Sequence, residues 1–330
     1  MHTTEVEAEE PQLVQEGIAP SETKRVAVGR LETPPETQPI RIRWAYAIGI
    51  GVIHLLALLA LVPWLFSWSG VAVAVLAHYF IGTWGICLGY HRLLTHRGFC
   101  CPRWFEKLLA LLGVCCLEDT PARWVAIHRM HHQHSDERPD PHTPFVNFIW
   151  GHVGWLLVKN REHHDVMSYE RYARDLLREP FYMLFERRLF WVATYVLHAI
   201  PFFIGGLMVG WIGTGDYWLG VQLGLSWLVW GVFVRTVTVW HAAWSVNSLA
   251  HIWGYRNYDT ADNSRNNWFV AILATGEGWH NNHHADQRAA AHGHKWWEFD
   301  VTWLTILLME KVGLVKDVVR PKVWSESSAS

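Results

Sequence analysis

Charge is scarce in this sequence. Asp, Glu, Lys and Arg make up 18% of the 330 residues and the formal net charge is -2, so no nucleic-acid partner is expected. Cysteine is scarce too. The five are Cys87, the adjacent pair Cys100 and Cys101, and the adjacent pair Cys115 and Cys116. No C-x-x-C spacing occurs, which argues against a cysteine zinc site or a dithiol redox pair. Adjacent cysteines rarely bridge one another, and nothing here demands an oxidising compartment. A flavin or nicotinamide fingerprint is missing: GIGVIH, residues 49–54, has the wrong ending and lies inside an apolar run. The acidic opening residues lack the apolar core of a signal peptide, so no cleavage is expected. Residues 1–40 hold five prolines from Pro11 to Pro39 and almost no apolar periodicity. They read as a disordered cytoplasmic tail, and residues 321–330 read as a flexible C-terminus.

What is abundant is apolar surface. Half the chain (51%) is hydrophobic, with 22 tryptophans. Four long runs, at about residues 44–66, 71–90, 190–212 and 217–240, contain no acid and only one formal base, Arg235. Each reaches the ~20 residues needed to cross ~30 Å of hydrocarbon as a helix, and Trp and Tyr gather at their ends as interfacial anchors do. The short connections SWSG (67–70) and GTGD (213–216) carry no Lys or Arg, whereas segment 91–189 carries half of the chain's 28. The positive-inside rule then places both termini and segments 91–189 and 241–320 in the cytoplasm. The expected fold is an all-α integral membrane domain over residues 41–320, four transmembrane helices in two hairpins capped by a cytoplasmic helical domain. WFEKLLALLGVCCL (104–117) is too short to span and reads as an interfacial or core helix.

Histidine is the other excess, 21 in all. Three clusters stand out: HRLLTH with His91 and His96, HRMHH with His128, His131 and His132, and HNNHH with His280, His283 and His284. Positions i, i+3 and i+4 share one face of a helix, so each H-x-x-H-H can aim three imidazoles at one point. Five residues amount to about 140° of an α-helix, so His91 and His96 are not expected to hold one ion together. Neutral imidazole is the commonest metal ligand, and eight histidines exceed the needs of one ion, which suggests a dinuclear site. Imidazole suits Zn, Cu, Fe and Ni alike.

The other histidines carry blander expectations. His54, His78 and His198, alone in the apolar runs, are read as packing residues. His163, His164, His292 and His294 are read as solvated or interfacial. His134, His142 and His152 flank the second box and are candidates to support it. Asp140 or Glu277 could orient ligand imidazoles, although Glu277 is read as a solvated loop residue.

At these residues the chain resembles the membrane-bound fatty acyl desaturases of the Δ9, stearoyl-CoA desaturase-like group. H-x4-H, H-x2-H-H and H-x2-H-H occur in order, with DPH (140–142), GHVGWLL (151–157) and GEGWHNNHH (276–284). The resemblance covers about residues 40–312. It implies a di-iron centre, two Fe ions held by nine histidines: the eight above and His251 of NSLAH, with Asn247 reaching iron through water. Spacing alone does not choose His251 over His241. The resemblance further implies a kinked acyl tunnel lined by Trp124 and Trp244. It implies O2 as co-substrate, a saturated acyl-CoA or acyl-lipid substrate, and electrons from an external carrier of ferredoxin or cytochrome b5 type. Val125, Ala126 and Ile127 depart from the charged residues of animal acyl-CoA enzymes, and GEGWHNNHH looks more like the bacterial and plastid branch. No HPGG-type haem motif is present, so no fused cytochrome b5 domain is expected. Arg171, Arg174, Arg178, Arg187 and Arg188 are candidates to dock the carrier or to face lipid headgroups. The competing readings are an integral-membrane hydroxylase of lipids or carotenoids and a non-enzymatic membrane metal-binding protein.

Overall fold

The computed structural model describes residues 29–327 apart from 164 and 188. Among them the fold is all-helical, with only isolated β-bridges. Four helices are long and apolar enough to cross a membrane: α1 (Trp44–Leu61), α2 (Trp68–Thr95), α7 (Phe190–Thr214) and α8 (Tyr217–Ile252). Between and after them lie α3 (Arg103–Val114), α4 (Pro121–His134), α5 (Val166–Leu177), α6 (Pro180–Glu186), α9 (Trp268–Leu273), α10 (His280–Ala285) and α11 (Val301–Lys311).

Local chemistry sets the ends. Ser67 accepts from the Gly70 amide at the start of α2, Asp216 from Trp218 and Leu219 at the start of α8, and Thr120 from Arg123 before α4, whose first residue is Pro121. The α7 and α8 helices lie against each other with almost no side chain between them. A Cβ on Gly206 would stand 2.4 Å from the Leu223 carbonyl oxygen, so only glycine permits that approach.

The outward faces of α1 and α7 are apolar throughout: Ile48, Val52, Leu55 and Leu61 on one, Leu197, Ile200, Met208 and Ile212 on the other. The core lies instead where α2, α3, α4, α5 and α11 meet, around Leu88, Tyr90, Phe105, Leu109, Tyr169 and Ile306. The α3 helix buries Phe105 and Leu109 while exposing Trp104, Leu108 and Leu111, as an interfacial helix does.

Two helices outrun the apolar windows of the sequence. The α2 helix continues from 90 to Thr95, and α8 from 240 to Ile252. Hydropathy falls where polar residues begin, but the backbone hydrogen bonds do not stop there. These extensions carry His91, Asn247 and His251. From His78 to Thr95, α2 is a π-helix.

Of the expected tail 1–40, residues 1–28 lie outside the described residues. Residues 29–40 run along the body: the Leu31 amide donates to the Phe145 carbonyl (2.9 Å), Leu31 packs on the Val146 and Trp150 cluster, and Thr37 is buried. At the other end, residues Lys322–Ser327 form a helical turn. Trp324 anchors it, its indole donating to the His294 carbonyl (3.0 Å) and packing on Trp303. In both cases one large apolar side chain fixes a polar segment.

Candidate metal centre

The nine histidines converge into two groups. His91, His96, His128, His132 and His283 have ligand nitrogens within 4.8 Å of one another, and so do His131, His251, His280 and His284. Four helices, α2, α4, α8 and α10, supply them, with His96 just past the end of α2, so no single element makes either group.

The grouping corrects two expectations. His91 and His96 serve the same group, because π-helical hydrogen bonds join residues five apart; the His96 amide donates to the His91 carbonyl at 3.2 Å. Such turns bring i and i+5 to one face, where an α-helix would separate them. Each H-x-x-H-H box, for its part, divides. The i and i+4 pair His128 and His132 joins the first group while His131 faces the second, and His280 and His284 join the second while His283 crosses to the first. One box thus straddles two centres, with i and i+4 almost in line and i+3 turned aside.

Nitrogen usage is uniform. In the first group Nε2 of His132 is 3.0 Å from that of His128 and 2.9 Å from that of His283, which is 3.1 Å from Nε2 of His91. In the second, Nε2 of His280 is 3.0 Å from Nε2 of His251, while Nε2 of His131 and His284 is buried with no partner. Four Nδ1 atoms point the other way, each to a carboxylate: His91 to Glu277 (2.5 Å), His131 to Asp140 (2.9 Å), His251 to Asp136 (3.0 Å) and His284 to Asp262 (2.6 Å). A carboxylate accepting Nδ1–H fixes the tautomer and leaves the Nε2 lone pair facing inward. Converging lone pairs repel unless a cation lies among them, so the residues fit two metal ions. Burial holds the imidazoles of His128, His132, His280 and His283 well below their usual pKa, which keeps them neutral and ready to bind.

The carboxylates are themselves held. Glu277, expected in solvent, is 5% exposed. It also accepts from Nε and Nη2 of buried Arg92, whose guanidinium is shared with Asp300. Burial alone would raise the Glu277 pKa, but His292, Arg92 and His91 beside it hold it well below the usual range. Gly276, at φ +118°, makes this possible, since a Cβ there would sit 2.2 Å from Asp300 Oδ1. Asp136, at φ 62°, accepts from the Asn263 amide (2.7 Å), and Asp262 from Thr260 and Ser264. The loop carrying Asn263 therefore ties down the partners of both His251 and His284. Sequence reasoning missed Asp136 and Asp262; the D-x-x-x-D run after the second box was the available signal for Asp136.

Other predicted residues fall in varied places. His142 lies against His131 (ring centroids 4.4 Å) and burial pushes it down to about 3. His292, expected to be solvated or interfacial, is buried 4.4 Å from the His283 ring and is lowered to about 4 by burial. His163, read in the same way, is buried against Trp155; His164 and Arg188 lie outside the described residues. His134 approaches Glu137 only, and His152 bonds Ser248 and His241 instead of the second box. His198 bonds Arg235. Arg171 pairs with Glu162 and Arg174 with Glu170.

An apolar cavity of about 360 Å³ passes the first group. Trp124, Trp244 and Asn247 line it with His91, His128 and Glu277, and Trp124 stacks on His128 (5.0 Å, 24°). Its outer end is formed by Ala45 and Tyr46 of α1 and Leu189, Trp191 and Val192 at the start of α7. Glu118 lines it as well, accepting from the Trp124 indole (3.2 Å), and burial pushes its carboxyl up to about 8. A polar opening leads to the first group from outside, lined by His96, His132, Arg97, Arg129 and Arg288.

A model of the fatty acid desaturase family matches residues 67–300. The chain belongs to the fatty acid desaturase family. An sn-2 palmitoyl-lipid 9-desaturase of Nostoc sp. (strain 36) is 43% identical over 280 residues, 84% of this chain and 91% of that protein. An sn-1 stearoyl-lipid 9-desaturase of Anabaena variabilis is 42% identical over 282 residues, 86% of this chain and 95% of that one. An acyl-CoA 5-desaturase of Anemone leveillei is 37% identical over 310 residues, 91% of this chain and 90% of its own. All nine histidines and their four carboxylates lie within the part matched to the desaturase family.

Proposed function

We propose that the chain is an integral-membrane acyl-lipid desaturase that introduces a double bond, at position 9, into a saturated acyl chain. The observation that carries this reading is the pairing of two all-imidazole groups with an apolar cavity along one of them. Two irons, when bound, supply the O2-dependent oxidation of unactivated C–H bonds. His91, His96, His128, His132 and His283 hold one and His131, His251, His280 and His284 the other, with Asn247 reaching the centre through water. The rest is positioning: the cavity wall, with Trp124 and Trp244, fixes which carbons lie beside the centre and keeps water out.

The lipid carrier is favoured by the outer end of the cavity. It opens between α1 and α7, the two helices with wholly apolar outward faces, and is lined there by exposed Ala45 and Leu189. A chain still attached to a bilayer lipid can enter sideways. In this reading the four long helices span the membrane as two hairpins, with the histidines and both termini on the cytoplasmic side. Electrons come from an acidic carrier of ferredoxin or cytochrome b5 type. The opening rimmed by Arg97, Arg129 and Arg288 brings such a carrier to His96 and His132; Arg97 and Arg129 share Asp175 there, and Arg288 is exposed beside them.

The test is expression in a host lacking its own desaturase, with fatty acids analysed by mass spectrometry after double-bond derivatisation and separation of lipid classes. Position-9 alkenes appearing first in intact glycerolipids are expected. Appearance first in acyl-CoA overturns the lipid carrier, and a hydroxylated lipid in place of an alkene overturns the reaction.

A further inference from the structure

Two short segments are as apolar as the long helices. The α9 helix, WFVAIL, has no charged residue, and α11, VTWLTILLMEK, has none before Glu310. Neither is long enough to span a bilayer. Both bury one side in the protein, through Val270 and Ala271 on α9 and Trp303 and Ile306 on α11. The other side lies open. It presents Trp268, Phe269, Ile272 and Leu273 on α9 and Leu304 and Leu308 on α11, with Ile272 at 68% and Leu308 at 62% exposure. A helix that is apolar all round belongs in a core or in lipid.

Neighbouring helices set the depth of this face. The end of α9 and the middle of α11 are held by α2 well before its metal ligand His91. Nε2–H of His78 donates to the Leu273 carbonyl at 3.2 Å, and the Tyr79 and Thr305 hydroxyls are 2.7 Å apart. One turn nearer His91, a Cβ on Gly82 would stand 2.7 Å from Val239 of α8. The next residue of α8, Trp240, lies against His54 of α1, ring centroids 5.7 Å apart. His54 is ten residues into α1, which is about 15 Å along a helix and half of ~30 Å of hydrocarbon. Leu273 and Thr305 therefore sit near the middle of the α1 span, beside the exposed Leu76 and Phe80 of α2.

The backbone at that depth is closed. A helix that ends in water can leave its last carbonyls to solvent, whereas in hydrocarbon each needs a partner. After α9 none is left over. The Val270 and Ala271 carbonyls accept from the Ala274 and Gly276 amides (both 2.8 Å), and that of Ile272 from the Thr275 amide (3.4 Å). Leu273 takes His78, and Ala274 takes the Glu277 amide (3.2 Å) and the Cys87 thiol (3.7 Å). Thr275 takes both the amide (3.0 Å) and the hydroxyl (2.8 Å) of Thr302. Side chains of α2 and the first turn of α11 thus fill places that water would take at an aqueous surface.

We propose that α9, the turn after it and the open face of α11 are immersed in the hydrocarbon of the cytoplasmic leaflet. The chain enters at Trp268, a residue type that anchors at the interface, and returns through Gly276 to Glu277 at the metal centre. This rests on the reading in which the four long helices span the membrane. The occupant of the face is lipid because the face continues, at one depth and without a charged side chain, into the outward side of α2.

The test uses the full chain in phospholipid vesicles that contain a lipid with a photoactivatable diazirine, either in mid-chain or at the headgroup. Labelled residues are mapped by mass spectrometry. The mid-chain probe is expected to label Ile272, Leu273 and Leu308 in yields comparable to that of Leu55 on α1, and to leave α5 unlabelled. The headgroup probe is expected to favour Trp268. Mid-chain label on α1 and α7 with none on α9 and α11 overturns the inference while the four spans stand. Absence of label from α1 and α7 as well rejects the spans themselves. Label on α9 and α11 from the headgroup probe alone overturns the immersion, since the segment would then lie on the surface. Ile272→Cys chains that cross-link to one another, with no lipid label at the face in wild type, give the face to a second copy and overturn the inference too.

Discussion

The two histidine groups differ in what surrounds them. In the second, His131, His251, His280 and His284 are all buried, and three of them lean on separate carboxylates, Asp140, Asp136 and Asp262. In the first, only His91 has such a partner, Glu277, and His96 and His132 face an opening to the outside. The first also borders the apolar cavity through His91 and His128. One group is enclosed and braced; the other borders both the apolar cavity and the surroundings. A dinuclear centre needs both characters, a fixed half to keep the geometry and an accessible half through which acyl chain and electrons arrive.

Removing a ligand from either half should have the largest effect. His131→Ala leaves three histidines in the enclosed group, and desaturation should fall at least on the order of a thousandfold, beyond the 10–100-fold typical of an orienting partner. Iron per chain, measured beside activity, sharpens the contrast: about one iron should remain, in the five-histidine group. His132→Ala should abolish activity too but leave four ligands in its group, so iron content should fall less. Equal iron loss in the two variants would mean that the groups do not fill separately.

Next come the braces. Asp262→Asn and Asp136→Asn replace a carboxylate by an amide that no longer selects the Nδ1–H tautomer, and iron affinity should fall about 10–100-fold with little change in folding. Glu277→Gln should behave differently. It weakens His91 and also one side of the buried Arg92, so unfolding in the iron-free protein should be easier by about 1–3 kcal/mol. Denaturant midpoints for the three variants check this; identical midpoints would place Glu277 on the same footing as the other two.

The contrast between the halves also marks how far the sequence could be read. The convergence of the histidines was legible in part, because six of the nine stand in two H-x-x-H-H spacings and two more in HRLLTH. Their partition was not. It depends on α2 being π-helical through His91 and His96, and on each H-x-x-H-H box lying between two centres, so that a three-on-one-face rule sends i+3 to the wrong one. The apolar runs showed which helices are long, but hydropathy ends at about 90 and 240 while the backbone continues to Thr95 and Ile252. Glu277 was placed in solvent, and His292 in solvent or at the interface, because a polar residue in an irregular segment usually is. The buried Arg92, 185 residues before Glu277 in sequence, reverses that, and no local pattern signals it. Asp262 is unreadable for the same reason.

A smaller effect separates the halves by pH. Below its usual pKa of about 6.5 an unfolded histidine takes up a proton, whereas His292, lowered by burial to about 4, does not until the pH is much lower. Between those values the unfolded chain binds more protons, so stability is lost as pH falls from 6.5 towards 4. At about 1.4 kcal/mol per unit, iron-free protein should lose roughly 2 kcal/mol at pH 5 from this residue. His292→Gln should remove that part of the slope and leave stability above pH 7 nearly unchanged. His142, lowered to about 3 beside the second group, should give a similar slope that continues to lower pH. Parallel slopes in wild type and His292→Gln would show that the ring takes its proton in the folded state.

The smallest expected change tests the accessible side alone. Arg288 is exposed at the opening to His96 and His132. Arg288→Glu should raise the apparent KM for an acidic carrier about three- to tenfold at low salt, leave kcat unchanged, and lose its effect as ionic strength rises. Arg171→Glu is the comparison, since Arg171 is exposed on α5 and paired with Glu162. It should leave KM within twofold of wild type, because a rim charge acts on docking only where the partner sits. If Arg171→Glu raised KM and Arg288→Glu did not, the carrier would approach over α5, and electrons would have to enter from a surface that neither His96 nor His132 faces. The opening would then serve water or O2, and the accessibility of the first group would concern small molecules instead of a protein partner.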